Sequence, residues 1–207
     1  MRKIYFYFWN FVICSILGFI IETIWCIIRN KKFESRKGLL YGPFIPIYGI
    51  AGMILAILIT ELNIERKLII FLLGVSVSTI IEYVASYLQE KVFGSKSWDY
   101  SHFKFNIKGR VNLQFSIFFG FAILLWYLSC YELTIKLFNI INYNAIEFIS
   151  TLFILFMIYN IIISTIAVYR TKERVNKIER NSKFWNYIDK KYPNNKVLKV
   201  YANMKFI

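Results

Sequence analysis

Ile4 to Ile28 reads IYFYFWNFVICSILGFIIETIWCII, and Glu22 is its one charged residue. As a helix, with a rise of about 1.5 Å per residue, this stretch outspans the roughly 30 Å hydrocarbon core of a bilayer. Arg2 and Lys3 ahead of it resemble the start of a signal peptide, but no small-residue cleavage site follows, so the segment is expected to remain as a span. Working outward, four more apolar stretches alternate with basic loops. The spans are predicted at about 4–28, 44–62, 68–88, 111–132 and 147–169, making 1–169 a transmembrane domain and 170–207 a basic tail.

The expected fold class is therefore all-α, a polytopic membrane bundle of five helices. Composition agrees, with 57% hydrophobic and 19% aromatic residues, more apolar surface than a compact soluble domain of 207 residues can bury. Basic residues set the orientation, because positive loops are retained in the cytoplasm. Twenty-one Lys and Arg fall on the side of the 29–37 loop, the 91–110 loop and the tail, against five on the other side. The N-terminus is predicted outside and the C-terminus in the cytoplasm, in a bacterial plasma membrane.

The net charge of +14 could suggest nucleic acid. Its placement beside spans points instead to anionic lipid headgroups, which attract such residues by about 1 kcal/mol each, and no nucleic-acid partner is expected. Cys14, Cys26 and Cys130 lie in apolar segments without paired spacing, and His102 is the one histidine. Neither a disulfide framework nor a metal site is indicated, no cofactor is expected, and no catalytic residue is assigned. In the tail, Val175, Ile178, Phe184, Trp185 and Ile188 recur near helical spacing among Lys and Arg, which predicts an interfacial amphipathic helix or a docking surface for a soluble partner.

The third span repeats the first. Phe19-Ile20-Ile21-Glu22-Thr23 is matched by Thr79-Ile80-Ile81-Glu82-Tyr83; Lys37-Gly38 leads into Phe44, Tyr48 and Gly49, and Lys108-Gly109 leads into Phe115, Phe119 and Gly120 at the same offsets. The first four spans thus read as two parallel helical-hairpin repeats. Both glutamates then lie at one depth near the cytoplasmic surface. Intramembrane carboxylates are costly and seek a partner or a wet cavity. Two outcomes are open: each pairs with a nearby Lys or Arg and locks the helices, or both face a shared cavity that binds a cation, a proton or a basic group.

Two motifs lie on the same side. Tyr41-Gly42-Pro43-Phe44-Ile45-Pro46-Ile47-Tyr48-Gly49 opens the second span with prolines that lack a backbone donor and glycines that permit close approach, which predicts an interrupted helix start. The second runs from Glu82 through Glu90 to Trp98-Asp99-Tyr100-Ser101, Asn106 and Gly109-Arg110. Arg110 is expected to pair with Asp99, Glu90 or Glu82. The candidate solute or ion pathway comprises Glu22, Glu82, Glu90, Asp99, Asn106 and Arg110. Gly42, Pro43, Pro46, Tyr48, Gly49, Trp98, Tyr100, Ser101 and Gly109 are its structural motif.

At these residues, over about Gly18 to Trp126, the chain resembles the ABC-transporter permeases of type IV, a family of small bacterial membrane proteins. The resemblance implies a permease component for a small solute. The chain has no Gly-rich loop ending in Gly-Lys-Ser or Gly-Lys-Thr, so a separate ATPase subunit is implied as partner. Five spans make a small pathway, so a homo-oligomer or a larger complex is expected. The alternatives are a membrane enzyme on a lipid or lipid-linked substrate, with Glu82 or Asp99 as acid or base and Arg110 holding a phosphate, and a non-catalytic scaffold.

Overall fold

Apolar surface with no soluble interior to enter dictates the architecture: long helices bundle side by side and leave their outer faces bare. The computed structural model describes residues 2–207. Its elements are α1 (Arg2–Asn30), α2 (Pro46–Glu61), α3 (Lys67–Phe93), α4 (Leu113–Trp126), a π-helical turn (Tyr127–Tyr131), α5 (Glu132–Ile140), α6 (Tyr143–Val175), α7 (Lys183–Lys191) and α8 (Asn194–Val200), with four two-residue strands, β1 to β4. Four helices are long and apolar enough to cross a membrane: Lys3–Asn30, Lys67–Phe93, Leu113–Ile140, which joins α4 to α5 through the π turn, and Tyr143–Val175. Side chains such as Leu68, Leu125 and Phe148 stay about two-thirds exposed on the outer surface, an apolar area suited to lipid.

The second stretch is shorter as a helix than the sequence suggests. α2 has 16 residues, about 24 Å at 1.5 Å per residue, because Pro43 and Pro46 keep the chain before it irregular. That irregular segment is partly buried, and much of its backbone is bonded to neighbouring segments. Gly38 N donates to Phe44 O (2.8 Å), and Ile45 N to Ser15 O (3.1 Å). From α6, Ser164 Oγ accepts from Leu40 N (2.9 Å). Asn160 accepts from Tyr41 N (3.2 Å) and donates to Tyr41 O (2.7 Å). Asn160 is fully buried, so its amide supplies the bonds water would otherwise make. Gly42 sits at φ +74°, a left-handed conformation that a side chain would strain.

α1 packs antiparallel on α2, and α3 on α4, through small residues that bring backbones close. Gly18 lies under the Tyr48 ring, Gly49 meets Ser15 and Phe11, and Gly52 meets Cys14. In the second pair Gly74 lies against Ile123 and Gly120 against Val75 and Phe71, while Thr79 Oγ1 donates to Ser116 Oγ (2.7 Å). Phe6, Leu55, Ala56, Ile59, Ile70, Ile123 and Trp126 form the core where these helices meet. α6 covers α1, with Trp9 Nε1 donating to Ser150 Oγ (2.8 Å) and its ring stacked on Phe153.

The tail folds back on one end of the bundle. Ile188, Tyr192, Val197, Tyr201 and Met204 pack with Leu40, Ala167 and Val168. β4 (Lys205–Phe206) pairs antiparallel with β1 (Ser95–Lys96), and Arg36 bridges to Tyr201. Of the residues with helical spacing in the tail, Ile188 is buried, whereas Phe184 remains about half exposed. Below it, Arg170 bonds Asp189 through Nε (2.9 Å) and Nη2 (2.8 Å), and Glu173 through Nη1 (3.2 Å). Arg174 adds a second contact to Asp189, and Arg180 to Glu173.

Candidate functional site

The ends of α1 and α3 nearest the tail carry Glu22 and Glu82. Among the described residues neither forms an ion pair; each accepts instead from a tyrosine on the facing segment. Tyr48 OH donates to Glu22 Oε1 (2.8 Å) and Tyr100 OH to Glu82 Oε1 (3.0 Å). Glu82 is 5% exposed, and its Oε2 has no partner among the described residues. The two sites adjoin. Burial, with the charge of Glu82 and then that of Glu22 close by, pushes the Tyr100 phenol well above its ordinary pKa.

Aromatic rings pack on the two tyrosines. Tyr48 meets Phe119 edge-on (5.7 Å), Tyr100 stacks on Phe115 (4.8 Å), and Trp25 meets the other side of the same region through Phe115 (6.3 Å). Beside Tyr48, a cavity of about 210 Å³, open on one side where Ile21 and Leu125 are exposed, runs between the helices, lined also by Gly18, Ser78, Phe119, Trp126 and Cys130 among others. The Trp126 indole is 3% exposed, and its Nε1 lacks an acceptor among the described residues. The site thus sets two carboxyl groups, without ion-pair partners among the described residues, near aromatic rings and beside a largely apolar cavity.

The 94–112 loop exists to seat Tyr100. Asp99 Oδ1 accepts from Ser101 N (2.9 Å), which turns the chain and holds the exposed Asp99 carboxyl below its usual range. Tyr100 N donates to Gly109 O (2.8 Å). Asn106 ties the turn from inside, donating to Phe103 O (2.7 Å) and accepting from Gly109 N (2.8 Å). Gly109 at φ +68° brings its backbone against Asp99, leaving no room for a side chain. Asn112 then caps α4, accepting from Gln114 N (2.9 Å).

Of the three acidic partners open to Arg110, the structure selects Glu90, with Nη2 to Oε2 at 2.6 Å. Nη1 also donates to Ser86 Oγ (3.2 Å), the guanidinium lies over the Tyr87 (5.6 Å) and Tyr83 (6.0 Å) rings, and Trp98 Nε1 donates to Arg110 O (2.9 Å). Geometry explains the choice: Glu90 and Ser86 share a face of α3 one turn apart, and Asp99 is spent on its own turn. Arg110→Lys keeps the charge but loses the fork and the stacking. We expect it to weaken the loop by about 1–2 kcal/mol, read as faster amide exchange at residues 98–110; unchanged exchange would mean the ion pair does not hold the loop.

Of the proposed pathway residues, Glu22 and Glu82 each bond a tyrosine that packs on α4, Tyr48 on Phe119 and Tyr100 on Phe115. Glu90 and Arg110 form a separate pair further along α3, and Asp99 and Asn106 are bonded within the turn. Gly42, Pro43 and Pro46 shape the start of α2, from which Tyr48 and Gly49 reach α1. Sequence reasoning passed over Asn160 and Ser164, which hold the 38–45 segment, and Tyr192, whose hydroxyl meets that of Tyr41 at 2.7 Å. Asn160 could have been found as a lone amide within an apolar span.

Long apolar helices around a polar end site define a multi-pass helical membrane protein. The chain belongs to the family described as Putative ABC-transporter type IV, whose model matches residues 9–165. That match takes in both glutamates and ends before the tail helices. No curated protein and no solved structure matches the chain.

Proposed function

We propose that the chain is the permease component of a transporter for a small solute, and that Glu22 and Glu82 form the polar entrance of its path. The observation that carries this is the pair of carboxylates, held by tyrosines and without a basic partner, at the same end of α1 and α3. A structural lock would neutralise them. Glu82 is buried and Glu22 partly so; holding such carboxyl groups ionised without counter-ions is costly, and the cost is understandable where a passing cationic group or proton supplies the compensation.

The proposal includes five spans, with α2 completed by the partly buried segment before it, and two parallel hairpin repeats. Correspondence of contacts supports the repeat. Aligning Glu22 with Glu82 and Gly49 with Gly120 places Phe11 on Phe71, Ser15 on Val75, Cys14 on Gly74 and Gly52 on Ile123. The same pairs of positions touch in both halves. Charge distribution favours an outside N-terminus and a cytoplasmic tail in the bacterial plasma membrane. The entrance would then face the cytoplasm, where anionic lipids and a separate ATPase could meet the basic loops.

The test is purification from native membranes in mild detergent, followed by reconstitution in sealed vesicles. A stoichiometric ATP-binding subunit, with ATPase activity lowered at least tenfold by Glu82→Gln in the permease chain, is the expected result. A chain that purifies alone, or an ATPase indifferent to Glu82, would overturn the assignment.

A further inference from the structure

The site's surroundings narrow the chemistry of what it takes. An inorganic cation needs several converging oxygens at short range, typically six or more for the hard divalent ions. Here the two carboxylates each spend one oxygen on a tyrosine hydroxyl, and the neighbouring lining is mostly apolar, with Ser78 and Ser129 as its hydroxyls. A poorly hydrated organic cation has the opposite needs. It is satisfied by one or two diffuse negative charges and by the faces of aromatic rings, an attraction of about 0.5–2 kcal/mol per ring when water is excluded. Tyr48, Tyr100, Phe115, Phe119 and Trp25 supply those rings.

The cavity supplies the other half. It starts at the Tyr48 ring, whose hydroxyl bonds Glu22, and at Ser78, one helical turn before Glu82, and it runs largely apolar to Trp126; neither carboxylate lines it. At that far end the chain departs from regular α-helix, with the π-helical turn at Tyr127–Tyr131. π turns inside long helices cluster at functional positions. Among the described residues two polar atoms are left without partners, Glu82 Oε2 beside the cavity and Trp126 Nε1 in its lining, in side chains more than nine-tenths buried. An occupant with a positive head and an apolar body that ends in a hydrogen-bond acceptor would satisfy both.

We propose that this site binds an organic cation, its ammonium head between Glu22 and Glu82 and its apolar body in the cavity towards Trp126. The inference deepens the permease assignment and rests on it only in calling the ligand a substrate. Binding itself needs the purified chain alone.

Benzyltrimethylammonium and its neutral isostere neopentylbenzene differ in one atom and one charge, so they isolate the role of the carboxylates. With the full chain in lipid nanodiscs, equilibrium dialysis is expected to show saturable binding of the cation at one per chain and at least tenfold weaker binding of the isostere. Glu82→Gln and Glu22→Gln should each weaken the cation by at least tenfold and leave the isostere within twofold. Equal binding of the two probes, or a cation indifferent to both substitutions, would overturn the proposal.

Should the variants fail to insert, the wild-type chain carries an independent readout. Cys130 lines the cavity, and its alkylation by a membrane-permeant maleimide, followed by mass spectrometry, should slow at least fivefold under saturating benzyltrimethylammonium while neopentylbenzene has no effect. Undiminished labelling would place the cation elsewhere and sink the proposal. A chain that binds the cation but purifies without an ATPase would remove the permease assignment and leave this site standing; an associated ATPase with no cation binding would do the reverse.

Discussion

Gly49→Leu is expected to leave little folded protein. The position where a β-carbon would stand is already within 2.7 Å of the Phe11 ring and of the Phe11 carbonyl, and closer still to Ser15 Oγ. A backbone atom cannot rotate away, so α1 and α2 would have to separate along their whole contact. Overpacking costs about 1–3 kcal/mol where neighbours can shift and more where they cannot; roughly 3 kcal/mol or above is expected here. Separation would also draw Tyr48, one residue earlier on α2, off Glu22. Unfolding in mixed micelles, followed by helix content and by Trp fluorescence, would measure the loss, with Gly49→Ala as the milder control. Stability within about 0.5 kcal/mol of wild type, the range of ordinary surface substitutions, would show that the helices do not meet as described. Gly120→Leu, against Val75 and Phe71, should be similarly damaging, since it occupies the matching place between α3 and α4.

Arg170→Ala should release the tail while leaving the spans inserted. The guanidinium is 4% exposed, and it satisfies Asp189 with two bonds, Glu173 with one and the carbonyl of Ile178 with one more (3.1 Å). Removing one partner of a buried ion pair typically costs about 3–5 kcal/mol because the remaining charge keeps its desolvation penalty. Arg174 and Arg180 stay in place for Asp189 and Glu173, so the lower half of that range is expected. Freed α7 and α8 would let the already exposed 176–182 linker move, and limited proteolysis should cut there at least tenfold faster than in wild type. A cutting rate that does not change would mean the apolar contacts of Tyr192, Val197 and Tyr201 hold the tail without the ions.

Acid provides a second route to the same state. The hydrogen bonds from Arg170, with those from Arg174, hold the Asp189 carboxyl below its ordinary value. A depressed carboxylate contributes stability that is fully present above its unfolded pKa of about 3.9 and is lost as pH falls through the lower folded value. Tail docking should therefore be insensitive to pH between about 5 and 8 and weaken only below about 4.

Most of the secondary structure was legible because a bilayer imposes a simple rule: an apolar run long enough to cross is a helix. The runs around Glu22 and Glu82 announced themselves that way, as did the stretches at 111–132 and 147–169. The bounds were less legible. The fourth run continues to Ile140 because Glu132 and Lys136, charges that end a span in a hydropathy count, do not end a helix. The second run loses residues to Pro43 and Pro46, whose missing donors and fixed φ stop α2 from starting earlier.

The site was half legible. Lone carboxylates in apolar helices marked Glu22 and Glu82 by their cost, and the motif residues Tyr48 and Tyr100 were marked by their company. The pairing of Tyr48 with Glu22 and of Tyr100 with Glu82 joins residues 26 and 18 positions apart, and no periodicity connects them. Arg110 had three acidic candidates, 11, 20 and 28 residues away, and only the face shared by Ser86 and Glu90 on α3 separates them.

By itself, then, the sequence determined that this chain is a bundle of long apolar helices with basic loops, two matching glutamates and two polar motifs. It could do so because hydropathy, charge and helical period are properties of neighbouring residues. The tertiary structure decided which tyrosine meets which carboxylate, that Glu90 takes Arg110 and leaves Glu82 without an ion pair among the described residues, that Asn160 holds the backbone of Tyr41, and that the tail docks through Arg170 and Asp189. Each depends on close approach between segments far apart in the chain, and the approach is set by packing volumes, by glycines such as Gly49 and Gly120, and by the need of every buried polar group for a partner.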